Sequence, residues 1–276
     1  MKRILIFRFH KLPALCQDRI ALLRKFNPNL EIYGLFGGEA DQLKAAEQSL
    51  GPFMSNIFSI AHHAPGWKWR YSDLALHEWF VNVGTSVTFD VATVVEWDLV
   101  FFKSIDEIYS HISPESIGLT GVRPIKDIGS DWAPTAIEPL SIEWQNLLAW
   151  AQATWDYKNE PVGCLGPGCS VPRAFLEGYG DLRMPEVSTD ELRLPLSAQL
   201  LGIPVVDTRL CRSWFLDREL EVFNTLKREV LATTITRELS LPGGRRCFHP
   251  FRASLSTLPN FAALSNQGDA TSLFTI

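Results

Sequence analysis

The sequence has no excess of basic residues: 26 Lys and Arg stand against 31 Asp and Glu, for a formal net charge of -5. Without a positive field the chain cannot gather an extended polyanion, so no nucleic-acid partner is expected. A small phosphorylated ligand needs only a few local cations or a metal and is not excluded. Long apolar runs are missing too. Nothing approaches the roughly 20 apolar residues of a transmembrane segment, and Arg8, His10 and Lys11 break the apolar opening too early for a signal-peptide core. Cysteine is scarce. The five present are an odd number in a chain too large to need disulfide staples, which favours reduced thiols and a cytoplasmic location. Cys164 and Cys169 are the only close pair, and no second pair follows to complete a zinc site. There is no internal repeat. Neither GxSxG nor GxxxxGK[ST] occurs, so neither a nucleophile elbow nor a phosphate loop is supported.

What is present suits a folded α/β domain. At 276 residues and 46% hydrophobic the chain can bury a sizeable core. Apolar runs at Ile4 to Phe9, Glu31 to Phe36 and Asn56 to Ile60 read as strands, separated by helical patterns over Asp18 to Phe26 and Asp41 to Leu50. A further helix is predicted over Leu74 to Val83, with Ser72 and Gly84 as its caps. Such alternation implies right-handed crossovers and a mostly parallel central sheet flanked by helices, with ligands beyond the carboxyl ends of the strands. The second half is less regular: strands at Ile117 to Val122 and Ile203 to Val206, helices over Ile142 to Trp155 and Ser188 to Leu201, and a glycine-rich loop from Gly163 to Cys169. One domain over 1–252 is expected, with a tail at 253–276 that is poor in charge.

One segment breaks its own pattern. The β-branched run Val91 to Val95 leads into Glu96-Trp97-Asp98, and apolar Leu99 to Phe102 follows. Two carboxylates in a hydrophobic run would be costly to bury unpaired, and such conflicts mark functional sites. Two residues apart, they share a face of a continuing strand, and their oxygens suit Mg²⁺ or Mn²⁺. An acidic-x-acidic triplet closing an apolar strand near the hundredth residue resembles the DxD motif of nucleotide-sugar glycosyltransferases with the GT-A fold, here with Glu in first place.

That resemblance implies a Rossmann-like sandwich with a nucleotide-binding half at 1–110 and an acceptor half at 111–252. It implies a nucleoside diphosphate sugar as donor, an acceptor that the sequence does not name, and Mn²⁺ or Mg²⁺ held by Asp98, Glu96 and a late histidine, His249. Base and ribose contacts would fall at Phe9, His10 and Lys11, diphosphate and sugar contacts at Arg70 and Asp73, and donor-sugar or acceptor contacts near Gly166, Gly168 and Cys169. A catalytic carboxylate is expected at Asp190 or Glu191. Arg245, Arg246 and Arg252 beside His249 would suit a diphosphate, and the following Pro250 biases His249 to an extended backbone.

Each assignment has a structural alternative. Arg70 and Asp73 could be a solvated pair at a helix start. Trp67, Trp69 and Tyr71 more often pack than stack on sugars. His249 could be a core histidine, and Ser188 to Glu191 matches a capping box that would occupy Glu191. Adjacent His62 and His63 point apart in an extended chain and receive no role. Two other functions share these features: nucleotidyl transfer to a sugar phosphate, and non-catalytic binding through the same fold.

Overall fold

The first strand, β1 (Arg3–Phe9), is apolar at nearly every position, and Ile4, Leu5, Ile6 and Phe7 are fully buried. A strand reads this way when both faces are covered and both edges paired. Leu5, Phe7 and Phe9 pack on one side with Cys16, Ile20 and Leu23 of the helix Pro13–Phe26. Ile4 and Ile6 pack on the other with Ala75, Leu76, Trp79 and Phe80 of the helix Ser72–Asn82. Alternate residues of one strand thus fix the helices of two outer layers.

The computed structural model describes residues 1–10, 13–128, 132–214, 216–226 and 228–259. Its main sheet adds β2 (Glu31–Phe36), β3 (Asn56–Ser59), β4 (Val91–Glu96), β6 (Ile117–Pro124), β7 (Val162–Pro172) and β8 (Val205–Asp207). The seven strands lie in the order β3-β2-β1-β4-β7-β6-β8, and all run parallel except β7. The fold is therefore α/β with a mostly parallel central sheet flanked by helices. A separate antiparallel pair, β5 (Val100–Phe101) with β9 (Cys247–Phe248), ties the chain just after Glu96-Trp97-Asp98 to a late segment.

Several expectations change. Gly163 to Cys169 is not a loop but part of β7, in the sheet between β4 and β6. A side chain at Gly163 would meet Trp132 at 2.7 Å, so the glycine permits close packing rather than a turn. Ser72 lies inside its helix, Tyr71 and Val83 flank that helix, and the Ser72 hydroxyl is used elsewhere. Leu255 and Leu258 are buried against a third apolar cluster, so the start of 253–276 is packed; residues 260–276 lie outside the described residues. Among the described residues, all five cysteines are buried and none is in a disulfide, and no helix is long and apolar enough to cross a membrane.

Candidate functional site

A cleft of about 790 Å³ opens at the carboxyl ends of β1 to β4. From β1 the chain winds outward through β2 and β3, then returns to place β4 on the other side. Crevices at such a reversal are where α/β sheets hold ligands. Arg8 and Glu96 are register partners across β1 and β4 at this point. The Arg8 guanidinium lies 3.8 Å from Glu96 Oε1 and donates to the Lys68 carbonyl at 2.8 Å. The Gly168 amide donates to Glu96 Oε2 at 3.1 Å. Burial pushes the Glu96 carboxyl up to about 7, against the opposing pull of Arg8 and His249.

Asp98 sits beyond the end of β4. Its carbonyl accepts from the Phe251 amide at 2.8 Å, and the β5–β9 pair holds His249 and Arg252 alongside. Arg252 Nε donates to Asp98 Oδ2 at 3.1 Å, and His249 Nε2 stands 3.5 Å from Oδ1. Burial pushes the Asp98 carboxyl up, but hydrogen bonds and charge from His249 and Arg252 outweigh it, leaving its pKa below the ordinary aspartate value. The Asn224 carbonyl can only accept, so His249 Nδ1, 2.6 Å away, carries a proton. With Nδ1 committed to that carbonyl, Nε2 is the ring atom that faces Asp98 Oδ1. Fixing one ring nitrogen through a backbone carbonyl is how metal-binding histidines are oriented.

Glu96 stands apart from this pair. Among the described residues, the ligand atoms of Glu96, Asp98 and His249 do not all lie within 4.8 Å of one another; His62, His63 and Glu78 do.

The helix Asp190–Leu200 points its first residues into the cleft. Ser72 Oγ donates to Asp190, whose carboxyl burial pushes up to about 6. Burial, then the adjacent Asp190, push Glu191 up to about 8. The expected capping box does not form. Ser188 has a φ of 66°, its amide donates to Glu143 Oε2 at 3.0 Å, and Thr189 precedes the helix without a side-chain cap. Glu191 is thereby left to line the cleft.

Asp73 does not line the cleft. It is buried in an ion pair with Arg193 at 2.8 Å, and the Tyr179 hydroxyl donates to the same oxygen. Arg193 comes from 120 positions further along, so sequence alone gave Asp73 to the ligand instead of the core. Arg70 does reach the cleft, with its guanidinium paired to Glu143 and directed to the Ser188 carbonyl at 3.3 Å. Arg70 Nε, Asp73 Oδ1, Ser188 Oγ and Thr189 Oγ1, all buried, have no hydrogen-bond partner.

Phe9 and His10 line the cleft, with His10 edge-on to Trp97 at 5.6 Å, whereas Lys11 lies outside the described residues. Gly166 lines it too; Gly168 and Cys169 stand behind the wall. Of the aromatic trio, Trp69 is an exposed cleft residue, while Trp67 stacks on His63 and Tyr71 is buried. Arg252 alone of the three late arginines reaches the cleft; Arg245 pairs with Glu219 at 2.7 Å and Arg246 caps the carbonyls of Glu238 and Leu241. Sequence reasoning passed over Arg8. Its signal was the one that exposed Glu96, a charge set inside an apolar strand.

No family model matches the chain, and no curated protein matches its sequence. Among solved structures the chain is similar to the apo form of mouse xyloside xylosyltransferase 1, with a TM-score of 0.40 and 12% identity over 75% of this chain and 85% of that one. It is also similar to the galactosyltransferase LgtC in complex with donor and acceptor sugar analogues, with a TM-score of 0.37 and 11% identity over 75% of this chain and 74% of that one. At such values the function is read from the cleft itself.

Proposed function

We propose that the chain is a metal-dependent glycosyltransferase that moves a sugar from a nucleoside diphosphate sugar to a hydroxyl acceptor. The observation that carries this reading is the approach of Asp98 and His249, 151 positions apart in sequence, with a carboxylate oxygen and the imidazole Nε2 facing at 3.5 Å in a cleft at the sheet's point of reversal. A carboxylate with a neutral imidazole suits Mn²⁺ beside phosphate oxygens, and Mg²⁺ less closely. Asp98 and His249 would hold the ion, which when bound lends positive charge to the departing diphosphate.

The rest falls to the chain's own side chains. Arg8 and Arg252 present guanidinium groups to diphosphate oxygens, and Arg70 does so from the facing wall. Phe9 and His10 bound the pocket for base or ribose, with Glu96 beside them as a hydroxyl acceptor. Asp190 and Glu191 divide the proton work. Asp190, with a pKa of about 6, is ionised at neutral pH and basic enough to draw the proton from an acceptor hydroxyl. Glu191, at about 8, stays protonated there and donates a hydrogen bond.

The test is incubation of purified protein with UDP-sugars and GDP-sugars, with and without Mn²⁺, following release of free nucleoside diphosphate. Metal-dependent release that is lost in Asp98→Asn and His249→Ala supports the reading. Release of pyrophosphate would point to nucleotidyl transfer instead. Absence of nucleotide binding would leave a binding protein without this chemistry.

A further inference from the structure

We propose that His62, His63 and Glu78 form a second metal site, outside the cleft, that takes a zinc-like transition-metal ion. In an extended chain the two histidines would diverge. Here the chain turns after β3, the His63 amide donating to the Ile60 carbonyl at 3.1 Å, and the two rings come side by side with centroids 4.1 Å apart. Both turn toward Glu78, on the helix Ser72–Asn82. His62 Nε2 is 3.2 Å from Glu78 Oε1 and His63 Nε2 is 2.8 Å from Oε2, so the three residues offer ligand atoms within 4.8 Å of one another.

The donor set selects the ion. Two imidazoles and one carboxylate suit Zn²⁺ and its transition-metal neighbours, whereas Mg²⁺ and Ca²⁺ prefer oxygen throughout. Two neutral rings and one carboxylate carry a single negative charge that a divalent ion more than offsets. Orientation is built in, because the Trp67 ring stacks on His63 at 3.5 Å and 8° and is itself held by Nε1–H donation to Glu186 at 2.8 Å. Access is open, since the His62 side chain is 59% exposed, which leaves room for water as a fourth ligand.

The placement gives the site a consequence. Its ligands bracket the helix Pro65–Arg70, which carries Lys68, Trp69 and Arg70 of the cleft wall. An ion joining the turn before this helix to the helix after it would clamp that wall in place. The inference stands on residues outside the cleft and does not depend on the reaction assigned there.

Zn²⁺ alone is titrated calorimetrically into the chelator-stripped full chain, into Glu78→Gln, into His62→Gln/His63→Gln, and into Asp98→Asn. The wild type and Asp98→Asn should share one Zn²⁺ event that weakens at least tenfold in Glu78→Gln and disappears in the double variant. Co²⁺ in the wild type should give the strong visible absorption of four-coordinate nitrogen and oxygen ligation. The side chains of His62, His63 and Glu78 are at least partly exposed, and far-ultraviolet circular dichroism checks the fold of every variant, Asp98→Asn included. The shared Zn²⁺ event surviving unchanged in the double variant, or a wild type that binds no Zn²⁺ or gives only weak six-coordinate Co²⁺ absorption, would overturn the proposal.

Discussion

Replacing Asp190 with Asn should abolish transfer and at the same time stabilise the ligand-free protein above pH 6. Burial raises the Asp190 pKa from 3.8 to about 6. Between those values the unfolded chain is ionised and the folded one still protonated, so the folded state binds more protons and loses stability as pH rises. The loss is complete above the folded pKa. At 1.36 kcal/mol per pKa unit it reaches at most about 3 kcal/mol. Asn is neutral throughout and keeps an oxygen to accept from Ser72, so it escapes this penalty. For a chain of this size that is a difference of about 5 °C in melting temperature. Melting curves of wild type and variant at pH 4, 5, 6 and 7, without metal or nucleotide, measure it. The stability difference should shift in the variant's favour between pH 4 and 6 and then level off. A difference that is flat with pH, or moves the other way, would refute the account of Asp190 as a buried carboxylate kept for its chemistry.

Two further substitutions probe the scaffold. Arg193→Ala leaves the Asp73 carboxylate buried without its cation and removes donors to the Tyr179 hydroxyl and the Val187 carbonyl; it should cost about 3–5 kcal/mol in urea unfolding, and an unchanged midpoint would count against the buried pair. Gly168→Ala places a Cβ 2.5 Å from Leu210 at a φ of 80°, so it should destabilise by roughly 1–3 kcal/mol and loosen the amide that holds Glu96; a fully stable variant would show that the backbone there can relax.

The sheet and half of the cleft were legible because charge stood out against apolar strands. β1 and β4 announce themselves as buried runs, and Glu96, Asp98 and, in hindsight, Arg8 as exceptions within them. Glycine misled at β7. It punctuates exposed chain, but next to Trp132 it reports how near a neighbour lies, and the neighbour is not visible in a linear sequence. Asp73 failed for the same reason, since its partner Arg193 joins it only in the folded core. The histidine pair failed through an assumption about backbone: extended geometry was the wrong default where the chain turns after β3. His249 was named through the glycosyltransferase resemblance, with Pro250 and the neighbouring arginines as support, and it lies in the cleft beside Asp98.

The knot of contacts around Asp98 has a temporal side. Arg19, from the first helix, donates to the carbonyls of Phe251 and Ala253, and Phe251 in turn donates to Asp98. An early, a middle and a late stretch of the chain must therefore all be present before this carboxylate meets His249 and Arg252. At translation speeds of 5–20 residues per second, Asp98 is made roughly 8–30 s before those partners exist. During that interval the growing polypeptide can pair β1 to β4, setting Arg8 beside Glu96, while Asp98 has neither Arg252 nor His249 beside it. A nascent or prematurely terminated product lacking residues 247–253 would carry the sheet's opening strands and an Asp98 without its partners, so this cluster is assembled only once residues 247–253 have been made.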